Sequence, residues 1–209
     1  RAVLLWQKSE LDVAQQAFSS VVTRAEEIGD EILVARGRLG IGAIAWSLGQ
    51  LDAAEMLFSD VRTIFEKHKL TRLLAMTSAN LGAIHVLRGD LDQGFLHQKR
   101  AVQLSHAIGD TGKECEQLGY IADTALRQEK VEEARMFYRQ MYRLSISLNN
   151  EQREIMALTG LAETDLFTGE MERARSTIVR AYQRAQRLRL KLEQGVALRV
   201  LGNVFFKQG

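Results

Sequence analysis

The sequence predicts an all-α solenoid of about five helix pairs, and three observations support this prediction. The same short pattern returns at a constant step of 40 residues, at Leu11-Asp12, Leu51-Asp52, Leu91-Asp92, Val131-Glu132 and Met171-Glu172. The 209 residues include no proline. The apolar residues recur at the spacing of one helix face. A fixed period of this length is typical of stacked copies of one helical unit.

The periodicity also places the individual helices. It predicts helices over residues 11–28, 31–48, 51–68, 71–88, 91–108, 112–128, 131–148, 151–168, 171–189 and 191–207. Residues 1–8 have the pattern of the second half of a further helix. Each 40-residue repeat therefore contains two antiparallel helices joined by short turns.

Glycine marks most of the predicted junctions between helices. At Gly29-Asp30 and Gly109-Asp110, Gly can adopt the left-handed conformation while Asp caps the next helix. Asn149-Asn150 replaces this pair at a third junction, and Thr71 is expected to cap the helix that follows Lys69-Leu70. Each helix is therefore expected to begin and end at a defined residue.

The composition limits the classes of protein to which the chain can belong. With 46% hydrophobic and 26% charged residues, it has the balance of a globular protein. Uncharged runs such as residues 39–51 are shorter than the ~20 apolar residues of a membrane span. A net charge of +2 does not by itself indicate a nucleic-acid or membrane partner. The single cysteine, Cys115, excludes an internal disulfide, and we expect a cytoplasmic protein without a membrane partner.

We interpret residues 1–209 as a single solenoid that is truncated within a repeat at both ends. The first residues have the pattern of the middle of a helix, and Gly209 is equivalent to Gly49, Gly89 and Gly169. Solenoid ends of this kind expose apolar faces that can pair. A homodimer through these ends is therefore one expectation for the oligomeric state.

A second motif recurs within the helix pairs. A small residue precedes an aromatic residue by four positions at Ala14 and Phe18, Ala54 and Phe58, and Ala134 and Tyr138. The first helix supplies Ile41-Gly42, Leu81-Gly82 and Leu201-Gly202. Together these motifs resemble the tetratricopeptide repeat (TPR), in its long subgroup with a 40-residue period. This subgroup includes sensor regions of bacterial transcription activators and cell-polarity scaffolds. The resemblance implies a right-handed superhelix of antiparallel helix pairs.

The sequence departs from the TPR pattern in three ways. The closing proline is absent, and the period exceeds the family's usual one of about 34 residues. The third repeat carries Gly94 and Gln98 where Ala and Phe are expected. The small residues that should let paired helices approach closely lie at positions 42, 54, 82, 122, 134, 162, 174 and 202. We expect Phe18, Phe58 and Tyr138 to fill the space between neighbouring repeats.

No catalytic or cofactor-binding motif is present in the sequence. It contains no Gly-x4-Gly-Lys-Ser/Thr, Gly-x-Ser-x-Gly or His-Glu-x2-His sequence. The histidines His68, His85, His97 and His106 form no i, i+4 pair of the kind that binds zinc on a helix. A helix N-terminus could lower the pKa of Cys115, although a structural role is the favoured interpretation. We therefore expect no catalytic residues, cofactor or metal, and no enzyme.

In TPR arrays the first helix of each pair lines an inner face, so residues 40 positions apart form columns along it. The predicted groove residues are Trp6, Arg36, Leu39, Trp46, Met76, Asn80, Val86, Glu116, Asp123, Glu163, Arg199 and Asn203. For Trp46, burial between adjacent helices is an equal alternative. The groove would be apolar near the N-terminus and acidic in the middle. Such a surface suits an amphipathic helix or extended peptide with Leu or Phe anchors and a Lys or Arg.

A basic stripe is the second candidate site. Arg173, Arg180, Arg184 and Arg187 fall on one face of the helix that begins at Met171. Such a stripe could contact nucleic acid. A solvated outer face is the favoured interpretation, because Tyr182 is the only interleaved aromatic residue.

Together with the TPR resemblance, these features favour a non-catalytic protein- or peptide-binding scaffold. We expect it to be a segment of a larger bacterial regulatory or signalling protein. The alternative is a ligand-sensing domain of a transcriptional regulator that binds a small molecule or signal peptide. Nucleic-acid contact through residues 171–191 ranks below both.

Overall fold

A computed structural model describes residues 11–208 of the chain. This part consists of ten helices and contains no strand. The helices are α1 Leu11–Glu27, α2 Glu31–Ser47, α3 Leu51–Lys67, α4 Thr71–Leu87, α5 Leu91–Ala107, α6 Thr111–Arg127, α7 Val131–Ser147, α8 Glu151–Phe167, α9 Met171–Arg187 and α10 Lys191–Gln208. Their bounds agree with the sequence prediction to within two residues. The helix predicted over residues 1–8 lies outside the described residues.

The helices divide between two compact units, which meet in sequence between Leu104 and Ser105. In unit 1, residues up to Leu104, consecutive helices from α1 to α4 contact each other. In unit 2, from Ser105 onward, the same holds from α6 to α10. There α8 also contacts both α6 and α10, so the first helices of successive pairs lie side by side. This is the arrangement expected of a solenoid.

The junctions between helices recur at a constant step, each with one residue in the left-handed conformation. Glycine occupies five of these positions, with φ between 68° and 84°. Lys69, Glu129, Asn149 and Arg189 adopt the same conformation with φ between 51° and 60°. An L side chain is strained there, and the flanking helices fix this backbone conformation. The turn geometry is therefore set by the repeat, with or without glycine.

Side-chain caps confirm part of the predicted junction chemistry. Asp30 accepts a hydrogen bond from the backbone N–H of Leu33 at 2.9 Å, and Asn150 accepts one from Arg153 at 3.0 Å. The prediction for Thr71 is wrong. Helix α4 already begins at Thr71, so the capping position falls on Leu70, which makes no side-chain cap.

Small residues bring paired helices into close contact. A Cβ atom at Gly42 would lie 2.7 Å from the ring of Phe58. In the third pair, a Cβ at Gly94 would lie 3.3 Å from the carbonyl oxygen of Gly82. This backbone approach explains why Gln98, 5% exposed, replaces the expected aromatic residue. At Gly202 an added Cβ would meet nothing within 4 Å, and because no helix follows α10 among the described residues, close approach at this position stays a prediction.

Each unit has its own apolar core. The core of unit 1 includes Phe58, Phe65 and Leu81, and that of unit 2 includes Ile155 and Ile178. All five side chains are at most 1% exposed. Within the part of the chain that the structure describes, every helix is too short or too polar to span a membrane.

Cys115 is fully buried in α6. Burial raises the pKa of its thiol, although nearby Arg153 acts in the opposite direction. The lowered pKa considered from the sequence is therefore wrong, because loss of hydration outweighs the positive charge nearby.

Candidate partner-binding pocket

Unit 2 contains an open pocket of about 740 Å³ between helices α6, α7, α8 and α10. Four of the predicted groove residues line it: Glu116, Asp123, Glu163 and Arg199. The structure therefore brings together side chains from α6, α8 and α10, which are far apart in sequence.

The repeat explains why these side chains converge. Glu116, Met156 and Val196 occupy the same position in α6, α8 and α10, and all three line the pocket. Asp123 and Glu163 form a second such column. Because the first helices of successive pairs lie side by side, each column becomes a short row of neighbouring side chains.

Glycine allows an aromatic ring to pack against one of these helices. A Cβ at Gly160 would overlap ring atoms of Tyr138, so only glycine fits there without movement of the ring. Tyr138 is 2% exposed and extends from α7 towards α6. At Gly119, an added Cβ would lie 3.2 Å from the sulfur of Met141. The bottom of the pocket is thus formed by Tyr138 and Met141 of α7, and Gly160 and Gly119 leave room for these two side chains.

Among the carboxylates of the pocket, Asp123 has the pKa that departs most from its ordinary value. The hydroxyl of Tyr138 donates a hydrogen bond to its Oδ1. The side chain is accessible to solvent, yet protein surrounds it on several sides. The resulting loss of hydration raises the pKa of Asp123 to about 6, and the nearby carboxylate of Glu163 adds to this rise. The Tyr138 hydrogen bond and Arg127 act in the opposite direction.

The contact between Asp123 and Tyr138 also changes the pKa of Tyr138. Burial raises the pKa of its phenol, and the adjacent Asp123 carboxylate raises it further. The hydroxyl therefore stays protonated and remains a hydrogen-bond donor.

The other acidic residues of the pocket have polar partners. Glu116 forms ion pairs with Lys113 and Arg153, both at 3.1 Å. Burial tends to raise the pKa of Glu116, but these hydrogen bonds outweigh it and lower the pKa. Glu163 pairs with Arg199 at 2.7 Å. The amide of Gln152 donates to the buried Glu193.

Exposed apolar side chains complete the pocket lining. Tyr120, Met156, Phe167, Leu192 and Val196 are between 37% and 76% exposed. The sequence prediction did not include Phe167, because its column passed through Leu166, one residue earlier. Leu166 is 6% exposed in the core, whereas Phe167 is 55% exposed. A mixed apolar and charged lining of this kind is typical of a ligand or peptide site.

The predicted groove residues of unit 1 lie in different environments. Trp46 is 40% exposed and Met76 is 45% exposed, so Trp46 is not fully buried between helices. Arg36 is exposed, and Asn80 is half-buried. Leu39 is 8% exposed and belongs to the unit 1 core. Its assignment to the groove surface is therefore wrong.

Three other groove predictions also need comment. Val86 is half-buried, and its Cγ2 atom would lie 2.5 Å from a Cβ at Gly94, so it packs within its own helix pair. Asn203 is exposed on α10 but does not line the pocket. Trp6 lies outside the described residues.

The basic stripe is largely neutralised by acidic residues of the preceding helices. Arg173 pairs with Asp165 at 2.7 Å and with Glu170 at 2.8 Å. Arg184 pairs with Glu154, and Arg187 pairs with Glu151 at 3.1 Å. The charges were counted along one helix in the sequence, so the acids of α8 were missed. Arg180 is exposed on the same helix.

Comparison with known proteins identifies the fold. No family model matches the chain, and no curated protein matches its sequence. A signal-transduction ATPase with numerous domains (STAND) from Pyrococcus horikoshii, which has a tetratricopeptide repeat sensor, superposes with a TM-score of 0.83. The match has 16% identity and covers 96% of this chain and 31% of that one.

Two further solved structures are similar. A Rap protein complexed with competence and sporulation factor gives a TM-score of 0.72 at 13% identity, over 98% of this chain and 60% of that one. The TPR-like repeats of a kinesin light chain-like protein from Podosopora anserina give 0.72 at 15% identity, over 88% and 92%. At these identities the likeness shows the fold alone, which is a TPR-like α-solenoid.

Proposed function

We propose that the chain is a non-catalytic protein- or peptide-binding scaffold that belongs to a larger, cytoplasmic regulatory or signalling protein of bacteria. One observation carries this proposal: the pocket of unit 2 combines exposed apolar side chains with charged groups, several of which are held in place by ion pairs or hydrogen bonds. Such groups fix the orientation of a ligand while the apolar surface supplies most of the affinity.

The shape and chemistry of the pocket suit an amphipathic helix or an extended segment. Its volume of about 740 Å³ accommodates one or two large side chains together with part of a backbone. Leu or Phe anchors of the partner would pack against Met156, Phe167 and Val196. Apolar anchors in a central pocket usually dominate the affinity of such complexes.

The similar structures are consistent with this proposal. One is a Rap protein complexed with competence and sporulation factor, which shows that this fold can carry a bound factor in another protein. We propose a binding role for this chain because of the pocket described above, and not because of this likeness.

Selection of peptides from a random library on the immobilised chain tests the proposal. We expect selected peptides to lose about tenfold or more in affinity on Met156→Glu, because a charge replaces an apolar contact. Met136→Glu is the matched control. Met136 is 47% exposed and Met156 46% exposed, both in unit 2, but Met136 does not line the pocket. Equal losses in both variants, or no selected peptide, would contradict the proposal.

In unit 1, Trp46 and Met76 remain a prediction for a second contact surface. Their exposure makes them accessible to a partner, whereas the buried Leu39 is not. The change Trp46→Ala should weaken capture of any partner that uses this surface. Unchanged capture would restrict the proposed contact to unit 2.

The second candidate function is a ligand-sensing domain that takes a small molecule or signal peptide. It is favoured by the TM-score of 0.83 to a protein with a TPR sensor and by a pocket within the usual range for small ligands. A metabolite screen by thermal shift tests it. A ligand that raises the melting temperature of the wild type but not of Met156→Glu would favour sensing over scaffolding.

A further inference from the structure

The carboxylates of the unit 2 pocket differ in whether they pair with a cationic side chain. Glu116 and Glu163 form ion pairs with arginines, and Glu193 accepts a hydrogen bond from an amide. Among the described residues, Asp123 forms no ion pair within 4 Å and is held only by the hydroxyl of Tyr138. Arg127 lines the same pocket but does not reach this carboxylate. Two carboxylates of the pocket, Asp123 and Glu193, thus form no ion pair with another described residue, and of these Asp123 is exposed whereas Glu193 is buried.

The hydrogen bond from Tyr138 limits the kind of cation that can bind. It takes one of the two acceptor positions of Oδ1 of Asp123, and the ring cannot withdraw easily because it is packed against Gly160. Oδ2 therefore keeps both acceptor positions, whereas Oδ1 keeps only one, which makes its contact with a second donor more crowded. A guanidinium group binds a carboxylate best through two parallel hydrogen bonds to both oxygens. An ammonium group is a compact charge and needs only one.

We infer that Asp123 binds a primary ammonium group, supplied by a lysine side chain of the bound segment. This inference rests on the proposed function and specifies the chemistry of the partner. The methylene groups of the lysine would pack along Leu126 and Met156, which line the same pocket.

Small probes test this inference without the natural partner. Hexylammonium, hexylguanidinium and hexanol have the same apolar tail and differ only in the head group. Their binding to the whole chain is measured by NMR titration at pH 7.5. We expect hexylammonium to bind roughly fivefold more tightly than hexanol, and more tightly than hexylguanidinium. The shifted signals should belong to residues of the unit 2 pocket.

Two variants identify the groups responsible. Asp123→Asn keeps the shape and the acceptor for Tyr138, so it should abolish the preference for hexylammonium over hexanol. Tyr138→Phe frees Oδ1 and should bring hexylguanidinium close to hexylammonium. Asp123→Ala, at an exposed position, serves as a second test if the melting temperature of Tyr138→Phe is much reduced.

Several results would overturn the inference. These are hexylammonium binding no better than hexanol, no shifts in the pocket, a preference that survives in Asp123→Asn, or equal binding of both cations to the wild type. Failure of the proposed function gives a different result. Peptides that depend on Met156 but not on a lysine would refute the inference alone. Ammonium binding without any selected peptide would refute the scaffold alone.

Discussion

Residues at equivalent positions of the two units, which lie two repeats apart in the sequence, differ in their chemistry. Ala43 and Phe58 of unit 1 occupy the positions of Asp123 and Tyr138 in unit 2. Phe58 is fully buried and has no hydroxyl group to satisfy, whereas Tyr138 donates to Asp123. The same position in the same fold is therefore apolar in unit 1 and polar in unit 2. The repeat fixes where a side chain lies, and the individual residue decides what it can bind.

A second comparison concerns pairs that join successive repeats. Glu55 and His85 in unit 1 are 3.6 Å apart, with their side chains 28% and 16% exposed. At the equivalent positions of unit 2, Arg135 and Asp165 are 3.3 Å apart and 9% and 4% exposed. Unit 2 thus buries its ion pair, whereas the carboxylate of unit 1 is partly exposed and pairs with Arg88 as well as with His85.

The largest expected effect comes from breaking this buried pair. Asp165→Ala should destabilise the chain by about 3–5 kcal/mol, because Arg135 would keep a buried charge without this carboxylate and Arg173 would lose the same partner. The control Glu55→Ala, at a more exposed site, should cost less than about 1 kcal/mol. Urea denaturation measures both. Equal losses would mean that burial does not distinguish the two pairs.

Packing of the tyrosine ring gives the next largest effect. Gly160→Ala should destabilise the chain by about 1–3 kcal/mol, because the new Cβ would overlap the ring of Tyr138. Gly202→Ala is the same change in open space and should stabilise α10 by up to about 1 kcal/mol. If Gly160→Ala is as stable as wild type, the ring does not lie where we describe it.

Unit 1 should respond to acid through His97. His85 and His97 stack with ring centroids 5.3 Å apart. Burial lowers the pKa of His97, and the charge of His85 lowers it further. The folded chain thus binds this proton less readily than the unfolded chain, so stability is complete above about pH 6.5 and falls as the pH decreases below it.

His97→Gln removes this titration and tests the assignment. Between pH 7.5 and 5.5, the melting temperature of the wild type should fall more than that of the variant. An identical pH response in the wild type and the variant would contradict this role of His97.

The smallest expected effect concerns Asp123 itself. Its pKa is raised from 3.8 to about 6, so the folded chain binds this proton more readily than the unfolded chain. The stability due to this group is complete below pH 3.8 and is lost as the pH rises through about 6. Asp123→Asn should therefore raise the melting temperature slightly at pH 7.5 and change it less at pH 4.5. The opposite order would contradict the raised pKa.

The sequence predicted most of the fold because the fold repeats. The positions of the helices and the caps at Asp30 and Asn150 follow from local chemistry that one repeat already shows. The burial of Leu39 could not be predicted in this way, since a column records spacing but not how deep each side chain lies. The neutralised stripe of α9 and the Tyr138–Asp123 pair depend on contacts between helices, which no single helix reveals.

The central claim, that the unit 2 pocket binds the partner, can be tested most directly by ¹³C-methyl NMR of the six methionines. Met141 and Met156 line the pocket, whereas Met136 and Met171 of the same unit do not. On addition of a library-selected peptide, we expect the methyl signals of Met141 and Met156 to shift while those of Met136 and Met171 stay unchanged. Shifts at Met136 or Met171 without any at Met141 and Met156 would contradict the account.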